Sequence, residues 1–361
     1  MKKTKVLLYI LLGLMIVVAS LAGACTKTTP APSTPSPAPT PAPAPTPEVI
    51  ELTYASPYSP PNPYTVADQA WIDYIHEKTD GRVNITPYWG GTLVGREESV
   101  AEIGQGVADM GQVVVFAETG FEINNAFMCF GWDAKDSAMA MRVGQEIFNM
   151  FPAYQQEFPN LKVMGFTNTA YDVLMSTDPI ETMADFKGKT YNADFPTADA
   201  FAEFGGTAVK IPPPELYTQM EKGLLDGLCF PLETLSGFKF AEVVNYVNSD
   251  VSCPNQAIPN RVINQDKFNS LPPDIQQIFE ESQQFWMDQQ LKAFNDAEIV
   301  GIDFAKGIGV EFINLSPAEK AKWQNALKDI GYKRAEMVNA VGKPGTEILE
   351  ETEQLIQEYS K

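Results

Sequence analysis

From Ile50 the chain alternates apolar and polar residues over IELTYAS (50–56), the period-two pattern of a strand with one buried face. SPPNP (59–63) breaks that pattern. From Thr65 to Lys78 the apolar residues Ala67, Ala70, Trp71, Tyr74 and Ile75 recur on one helical face. TDGR (79–82) closes this helix, with Gly81 suited to the left-handed terminal position. RVNITPYW (82–89) is the next predicted strand and GREESVAEIGQG (95–106) the next helix. VADMGQVVVF (107–116) is almost continuously apolar, as in a strand buried on both faces. Strand–helix–strand–helix–strand in this order predicts parallel βαβ units with right-handed crossings.

The second half repeats the order. LKVMGFTNTAYDVLMST (161–177) is predicted as one long or two paired strands, and KGKTYNAD (187–194) as another. TADAFAEFGG (197–206) reads as a glycine-capped helix and AVKIP (208–212) as a strand. PPELYTQMEKG (213–223) is a helix with proline in its first turn, feeding the strand LLDGLCFP (224–231). Laid down without gaps, ESVAEIGQGVADMG (98–111) falls on ELYTQMEKGLLDGL (215–228). Glu98 then meets Glu215, Val100 meets Tyr217, Ile103 meets Met220, Gly106 meets Gly223 and Asp109 meets Asp226. A helix-then-strand unit used twice predicts two similar α/β lobes facing one another.

After the second unit the pattern turns helical. Ile275, Ile278, Phe279, Ser282, Phe285 and Trp286 lie along one side of a single helix predicted from Pro273 to Ala305. At ~1.5 Å per residue it reaches roughly 50 Å, longer than one small lobe, and is expected to brace both. LSPAEKAKW then offers Ser316 as N-cap, Pro317 as first residue and Glu319 as capping-box partner of the next helix.

The N-terminal region has a different character. Lys2, Lys3 and Lys5 precede the apolar run VLLYILLGLMIVVAS, and LAGA leads into Cys25. This is the pattern of a secretory leader over residues 1–24, and a cysteine directly after the cut points to lipidation of Cys25. Ala22 stands where a lipobox prefers leucine, with Leu21 one place earlier. An uncleaved anchor is the alternative, since the run approaches the ~17–25 residues that span a bilayer. Residues 25–48, with nine prolines between Pro30 and Pro47, have little to bury. They predict an extended, semi-rigid tether of roughly 60 Å at ~3.1 Å per residue. The protein is thus expected outside the cytoplasm, in the periplasm or on the outer face of the cell membrane, touching the membrane only through its lipid.

Charge narrows the partners. The chain carries a formal net charge of −20, and loss of the leader removes three lysines and no acids. So acidic a body argues against nucleic acid and anionic lipid. Beyond Cys25, only Cys129, Cys229 and Cys253 remain, without metal-ligand spacing, leaving room for at most one internal disulfide. His76 is the single histidine, on the polar side of its helix. No HExxH, GxSxG, GxGxxG or Walker loop occurs. No catalytic residue, metal or cofactor is therefore expected, and two lobes without catalytic equipment point to binding in the gap between them.

Four segments carry a family resemblance: EKTDGRVNITPYWGGTLVGREESVAEIGQGVADMGQV (77–113), DPIETMADFKGKTY (178–191), GGTAVKIPPPELYTQMEKGLLDG (205–227) and FNSLPPDIQQIFEES (268–282). In order and spacing they resemble the extracytoplasmic solute-binding proteins of tripartite ATP-independent periplasmic (TRAP) transporters, the dicarboxylate-receptor (DctP-like) group. The resemblance runs over about residues 50–330 and implies a two-lobed periplasmic-binding-protein-like α/β fold. Each lobe would be a mixed, mostly parallel sheet flanked by helices, with a long bridging helix. It also implies a receptor that captures a small organic solute by lobe closure and hands it to TRAP permease subunits in the membrane. The expected division is one lobe from 50–170 plus about 256–295, and a second from 171–255 plus about 296–361 with the C-terminal helices. The crossings are expected near Thr169–Val173 and Cys253–Asn264.

In that family an arginine in the strand after Lys-Gly-x-Lys usually clamps the ligand carboxylate through its two-pronged guanidinium. Here the matching position is Asn192. A second arginine position falls near Tyr171–Asp172, and the usual Gln-Glu-Asn-Pro is LCFP (228–231). No arginine lies between Arg142 and Arg261. A buried carboxylate lacking cationic partners is costly, so the resemblance and its departures together imply a neutral or cationic, non-dicarboxylate solute. The expected walls are Tyr58, Trp89, Phe116, Tyr171, Tyr191, Phe195 and Phe230, with Asp172, Asn192, Asp194 and Glu233 as polar contacts. Competing readings are a binding lipoprotein of another transporter, a sensor ectodomain, a lectin-like surface lipoprotein and a carboxylate-based hydrolase.

Overall fold

The structure, a computed structural model, describes residues 49–361 apart from 116–118, 131–133, 168–171, 194–196 and 254–256, with Pro214 and Cys253 described by their backbones. The leader, Cys25, the tether, Phe116, Tyr171, Asp194 and Phe195 lie outside the described residues.

Eleven strands among the described residues form two sheets. The first contains β1 (Ile50–Ala55), β2 (Val83–Tyr88), β3 (Met110–Gln112) and β4 (Leu161–Thr167). The second contains β5 (Asp172–Ser176), β6 (Thr190–Asn192), β7 (Thr207–Val209), β8 (Gly227–Phe230) and β9 (Tyr246–Cys253). The chain then returns β10 (Ile258–Asn264) to the first sheet and adds β11 (Glu311–Ile313) to the second. The spatial orders are β2-β1-β3-β10-β4 and β11-β9-β5-β8-β6-β7. The pairs of β1 with β2 and β3, and of β6 with β7 and β8, are parallel. The strands next to a passage between the sheets, β10 and β5, pair antiparallel with their neighbours.

The repeated unit has the same construction in both lobes. In the first, the short helix Ser99–Gly104 leads through Gly106, at φ +81°, and Asp109 into β3. In the second, the helix Pro213–Glu221 leads through Gly223, at φ +68°, and Asp226 into β8. Each aspartate reaches sideways to a neighbouring parallel strand. Asp109 accepts from the Thr53 amide at 2.8 Å, and Asp226 accepts from the Thr190 amide at 2.7 Å. Glycine supplies the left-handed turn, and the carboxylate then fixes the new strand to its neighbour.

Two expected elements differ in extent. VADMGQVVVF pairs only over Met110–Gln112, although Val113, Val114 and Val115 are buried. The parallel partner β1 ends at Ala55, which lies opposite Gly111, so beyond Gln112 the valines have only β10 beside them, through the Val113 amide on the Asn260 carbonyl at 2.7 Å. The helix expected as one piece from Pro273 to Ala305 is interrupted at Ser282 and runs further, as Pro273–Glu281 and Gln283–Gly307. The Ser282 hydroxyl accepts from the Trp71 indole at 2.8 Å and donates back to the Phe279 carbonyl at 2.7 Å. Such back-bonding loosens a helix locally, and here it lets Trp286 stack on Trp71 with centroids 4.0 Å apart.

Three apolar clusters hold these layers. One lies in the first lobe around Tyr54, Trp71, Phe279 and Trp286, and one in the second around Leu216, Leu228, Phe240 and Val247. The third draws Val113 and Phe166 of the first lobe, Leu174 and Tyr191 of the second, and Trp323, Ile348 and Ile356 of the C-terminal helices into one body. Residues Pro47–Lys361 accordingly form one compact unit carrying two sheets.

Candidate functional site

The site is located by where the strands end. β1, β3 and β4 run in the same direction, so their C-terminal ends and the start of β10 share one edge of the first sheet. In the second sheet the ends of β6, β8 and β9 share an edge with the start of β5. Thr167 and Asp172 bound one passage between these edges, and Cys253 and Ile258 bound the other. Five Cα steps cannot exceed about 17 Å, so the two edges are held close at both passages. In open α/β sheets, ligands bind beyond the carboxyl ends of strands.

A connected polar network covers the first lobe's edge. The Ser56 hydroxyl donates to Gln112 Oε1 at 2.9 Å, and Gln112 Nε2 donates to Asn260 Oδ1 at 3.2 Å. Arg261 Nη1 also donates to Asn260 Oδ1, at 3.0 Å, and to the Gln290 side-chain oxygen. Gln290 Nε2 donates to Thr167 Oγ1 at 2.7 Å, and that hydroxyl donates to the Tyr64 hydroxyl at 3.1 Å. Tyr64 stacks on Tyr58 with centroids 4.9 Å apart and meets Phe294 edge-on at 4.9 Å. Asn62 sets this tyrosine in place: its side chain accepts from the Tyr64 amide at 3.0 Å and opens the helix Pro63–Lys78.

Arg261 is the buried cation of this region, 2% exposed, and its charge is already committed. Its Nε donates to Asp68 Oδ1 at 2.7 Å. Nη2 lies 2.7 Å from the same oxygen but is not aligned for a hydrogen bond. The guanidinium lies 4.9 Å from the Trp286 ring centroid, and Asp68 also accepts from the Trp286 indole at 2.9 Å. It therefore belongs to the interior of the first lobe.

The second lobe contributes carboxylates. Glu233 follows β8, and its Oε2 is buried with no hydrogen-bond partner. Burial above all, with the nearby charges of Glu298 and Asp172 adding to it, pushes this carboxyl up to about 8. Burial also raises Glu298, on the Gln283–Gly307 helix. That helix touches the segment closely, because a Cβ on Gly301 would drive into the Leu232 carbonyl and the Glu233 backbone. Glu233 also acts on Tyr64, whose hydroxyl is raised chiefly by burial. The carboxylate thus stands between an aromatic of the first lobe, the bracing helix and the start of β5.

The other expected residues are dispersed. Asn192 is buried at the end of β6, and its Oδ1 accepts from the Ile211 amide at 2.8 Å. Tyr191 is fully buried against Phe186 and Phe201, in the core of the second lobe. Phe230 packs edge-on against Phe240 with centroids 5.6 Å apart, and Trp89 packs against Tyr54 at 5.9 Å. Tyr58 is half-buried beside Tyr64. Burial raises its hydroxyl, while the exposed Arg96 pulls it back down. Asp172 and Glu233 are the two expected polar residues that the described structure brings together.

Sequence reasoning passed over Tyr64, Gln290, Phe294 and Glu298. One signal was available: Gln290, Phe294, Glu298 and Gly301 recur at i, i+4, i+8 and i+11 along a stripe with buried Trp286 and Ala305. Two polar residues on a buried stripe mark a helix that faces more than a core.

Comparison with known proteins agrees with this arrangement. Residues 55–336 match the model of the family described as bacterial extracellular solute-binding protein, family 7. The 2,3-diketo-L-gulonate-binding periplasmic protein YiaO of Escherichia coli K12 is 26% identical over 257 residues, which are 69% of this chain and 76% of YiaO. A TRAP periplasmic solute-binding protein from Desulfovibrio salexigens, solved as an open complex, superposes with a TM-score of 0.78 at 24% identity, over 86% of this chain and 96% of that one. A marine-metagenome TRAP solute-binding protein, in complex with metahydroxyphenylacetate, superposes with a TM-score of 0.74 at 19% identity, over 86% of this chain and all of the other (100%). The two-lobed fold is thus shared with solute receptors, and the match extends over most of the folded body. The chain belongs to the bacterial extracellular solute-binding proteins of family 7.

Proposed function

We propose that this receptor closes its two lobes on a small organic solute that is not a dicarboxylate, and delivers it to a TRAP-type permease from a lipid anchor at Cys25. The observation that carries the solute class is at the end of β6. Asn192 stands at the clamp position and spends its Oδ1 on the Ile211 amide, while elsewhere on the second lobe the buried acceptor is the Glu233 carboxyl, close to Asp172 and Glu298. A dicarboxylate placed against that carboxyl would meet further acids rather than a guanidinium, at a cost of several kcal/mol. Tyr58, half-buried and backed by the buried Tyr64 and Phe294, provides aromatic surface on the first lobe. Phe116, Tyr171, Asp194 and Phe195 remain proposed wall residues by their sequence positions, a few residues after β3, just before β5 and just after β6. The chemistry asked of these groups is binding and release, with no bond-making step.

Calorimetric titration with C4-dicarboxylates and 2-oxo acids is expected to give no micromolar binding; such binding by either class would reverse the solute assignment. Native mass spectrometry of gently purified protein is expected to carry a co-purified solute whose formula identifies its class. One observation favours a second reading. Arg96 lies close enough to Tyr58 to offset part of the rise that burial imposes on its hydroxyl, so a monocarboxylate held from the first lobe is the competing ligand. Arg96→Ala would abolish binding of that ligand and leave a neutral or cationic one within a few-fold.

A further inference from the structure

We infer that Glu233 is the specificity-determining residue of the site and accepts a hydrogen bond from a protonated amine of the solute. The inference rests on the receptor reading above and sharpens it to one chemical class. Three observations converge. First, Glu233 Oε2 is buried and has no hydrogen-bond partner, a costly arrangement for an acceptor unless something arrives to meet it. Second, the charged groups acting on this carboxyl are both acidic, Glu298 on the bracing helix and Asp172 at the start of β5. No lysine or arginine among the described residues neutralises it.

Third, the guanidinium groups have other settings. Arg82 pairs with Asp274 at 2.6 Å, Arg142 with Glu146 at 3.2 Å, Arg261 with Asp68 at 2.7 Å, and Arg334 with Asp199. Arg96 acts on Tyr58, on the first lobe. The lysines of the second lobe are likewise placed at its surface, with Lys189 on Asp178 at 2.7 Å and Lys239 near Glu242 at 3.9 Å. A ligand ammonium therefore supplies what the chain withholds from Glu233 Oε2: a positive charge and an N–H donor. Tyr58, half-buried and stacked by one face on Tyr64, gives such a cation an aromatic neighbour, which adds attraction of its own.

The test uses the mature chain and matched probes that differ only in head group. Phenethylammonium, 2-phenylethanol and phenylacetate form one trio; butylammonium, butanol and butyrate form another. Calorimetry at pH 8 is expected to rank the ammonium at least tenfold tighter than its alcohol, with the acid weakest. Glu233→Gln should erase most of that tenfold preference while alcohol binding changes less than threefold. A thermal melt verifies that the variant folds, and Glu233→Asp should keep part of the preference. Equal binding of amine and alcohol, tighter binding of the acid, or an unchanged ranking in Glu233→Gln would overturn the inference. If an acid or alcohol binds and contracts the molecule in small-angle scattering, the receptor reading stands while the amine assignment falls. If no probe of either trio binds or raises the melting temperature, both fall.

Discussion

Glu233 and Arg261 illustrate opposite fates of a buried charge. Arg261 meets Asp68 inside the first lobe, so removing either partner strands the other. Arg261→Met is expected to lower stability by about 3–5 kcal/mol in urea unfolding, while the double variant Arg261→Met/Asp68→Leu recovers most of the loss. Glu233 has no such partner, and burial holds its carboxyl at about 8, well above the ordinary range, with Glu298 and Asp172 adding to the effect. A carboxyl raised on folding favours the folded state below its unfolded value. That contribution is lost as pH rises through its folded value. The unliganded protein should therefore lose stability between about pH 5 and pH 8, and Glu233→Gln should flatten that part of the profile and be the more stable protein at pH 8.5, by about 1–2 kcal/mol. Thermal melts at half-unit pH steps check this; parallel profiles for the two proteins would contradict it. The Arg261–Asp68 pair was not legible in the sequence, because its members are 193 positions apart and no local pattern reports such a contact.

At the scale of elements, the duplicated Gly-x-x-Asp was legible because its cause is local. A left-handed glycine ends a helix and the next aspartate fastens a strand, whichever lobe is being built. The long helix was legible as a helix but not in its break, since Ser282 is released from helical regularity by the Trp71 indole, which comes from another element. The same helix shows how tightly the lobes are joined. Gly301 lies where any side chain would press on the Leu232 carbonyl, so Gly301→Ala should cost about 1–3 kcal/mol through overpacking. It should also weaken solute binding by shifting the segment that carries Glu233. Denaturant unfolding and calorimetry on one preparation separate the two effects; wild-type values in both would mean that the helix yields without consequence.

For the whole molecule, the governing feature is a body with two sheets joined by two short passages and clasped by its C-terminal helices. Helix Pro317–Ala340 touches the second lobe through Glu319, which accepts from the Met183 amide at 2.8 Å, and through the Trp323 indole on the Ser252 carbonyl at 2.8 Å. Just beyond it, Lys343 reaches Glu122 and Glu157 on the first lobe side at 2.6 Å. The proposed closure must therefore take place against the contacts that these helices make with both lobes. Small-angle scattering is expected to show a smaller radius of gyration with solute than without; identical curves would count against closure.

The sequence by itself determined the α/β class, the doubled unit, the likeness to solute receptors and the absence of arginine from the β6 position. Each of these is written in short-range patterns, where periodicity, a glycine turn or a residue's identity is enough. Only the tertiary structure decided that Tyr191 belongs to the core, that Tyr64 takes a place at the edge, and that Glu233 meets Asp172 and Glu298 without a cation. Those outcomes depend on which strands end together and which helix crosses them, and a buried carboxyl is defined by neighbours that come from distant parts of the chain.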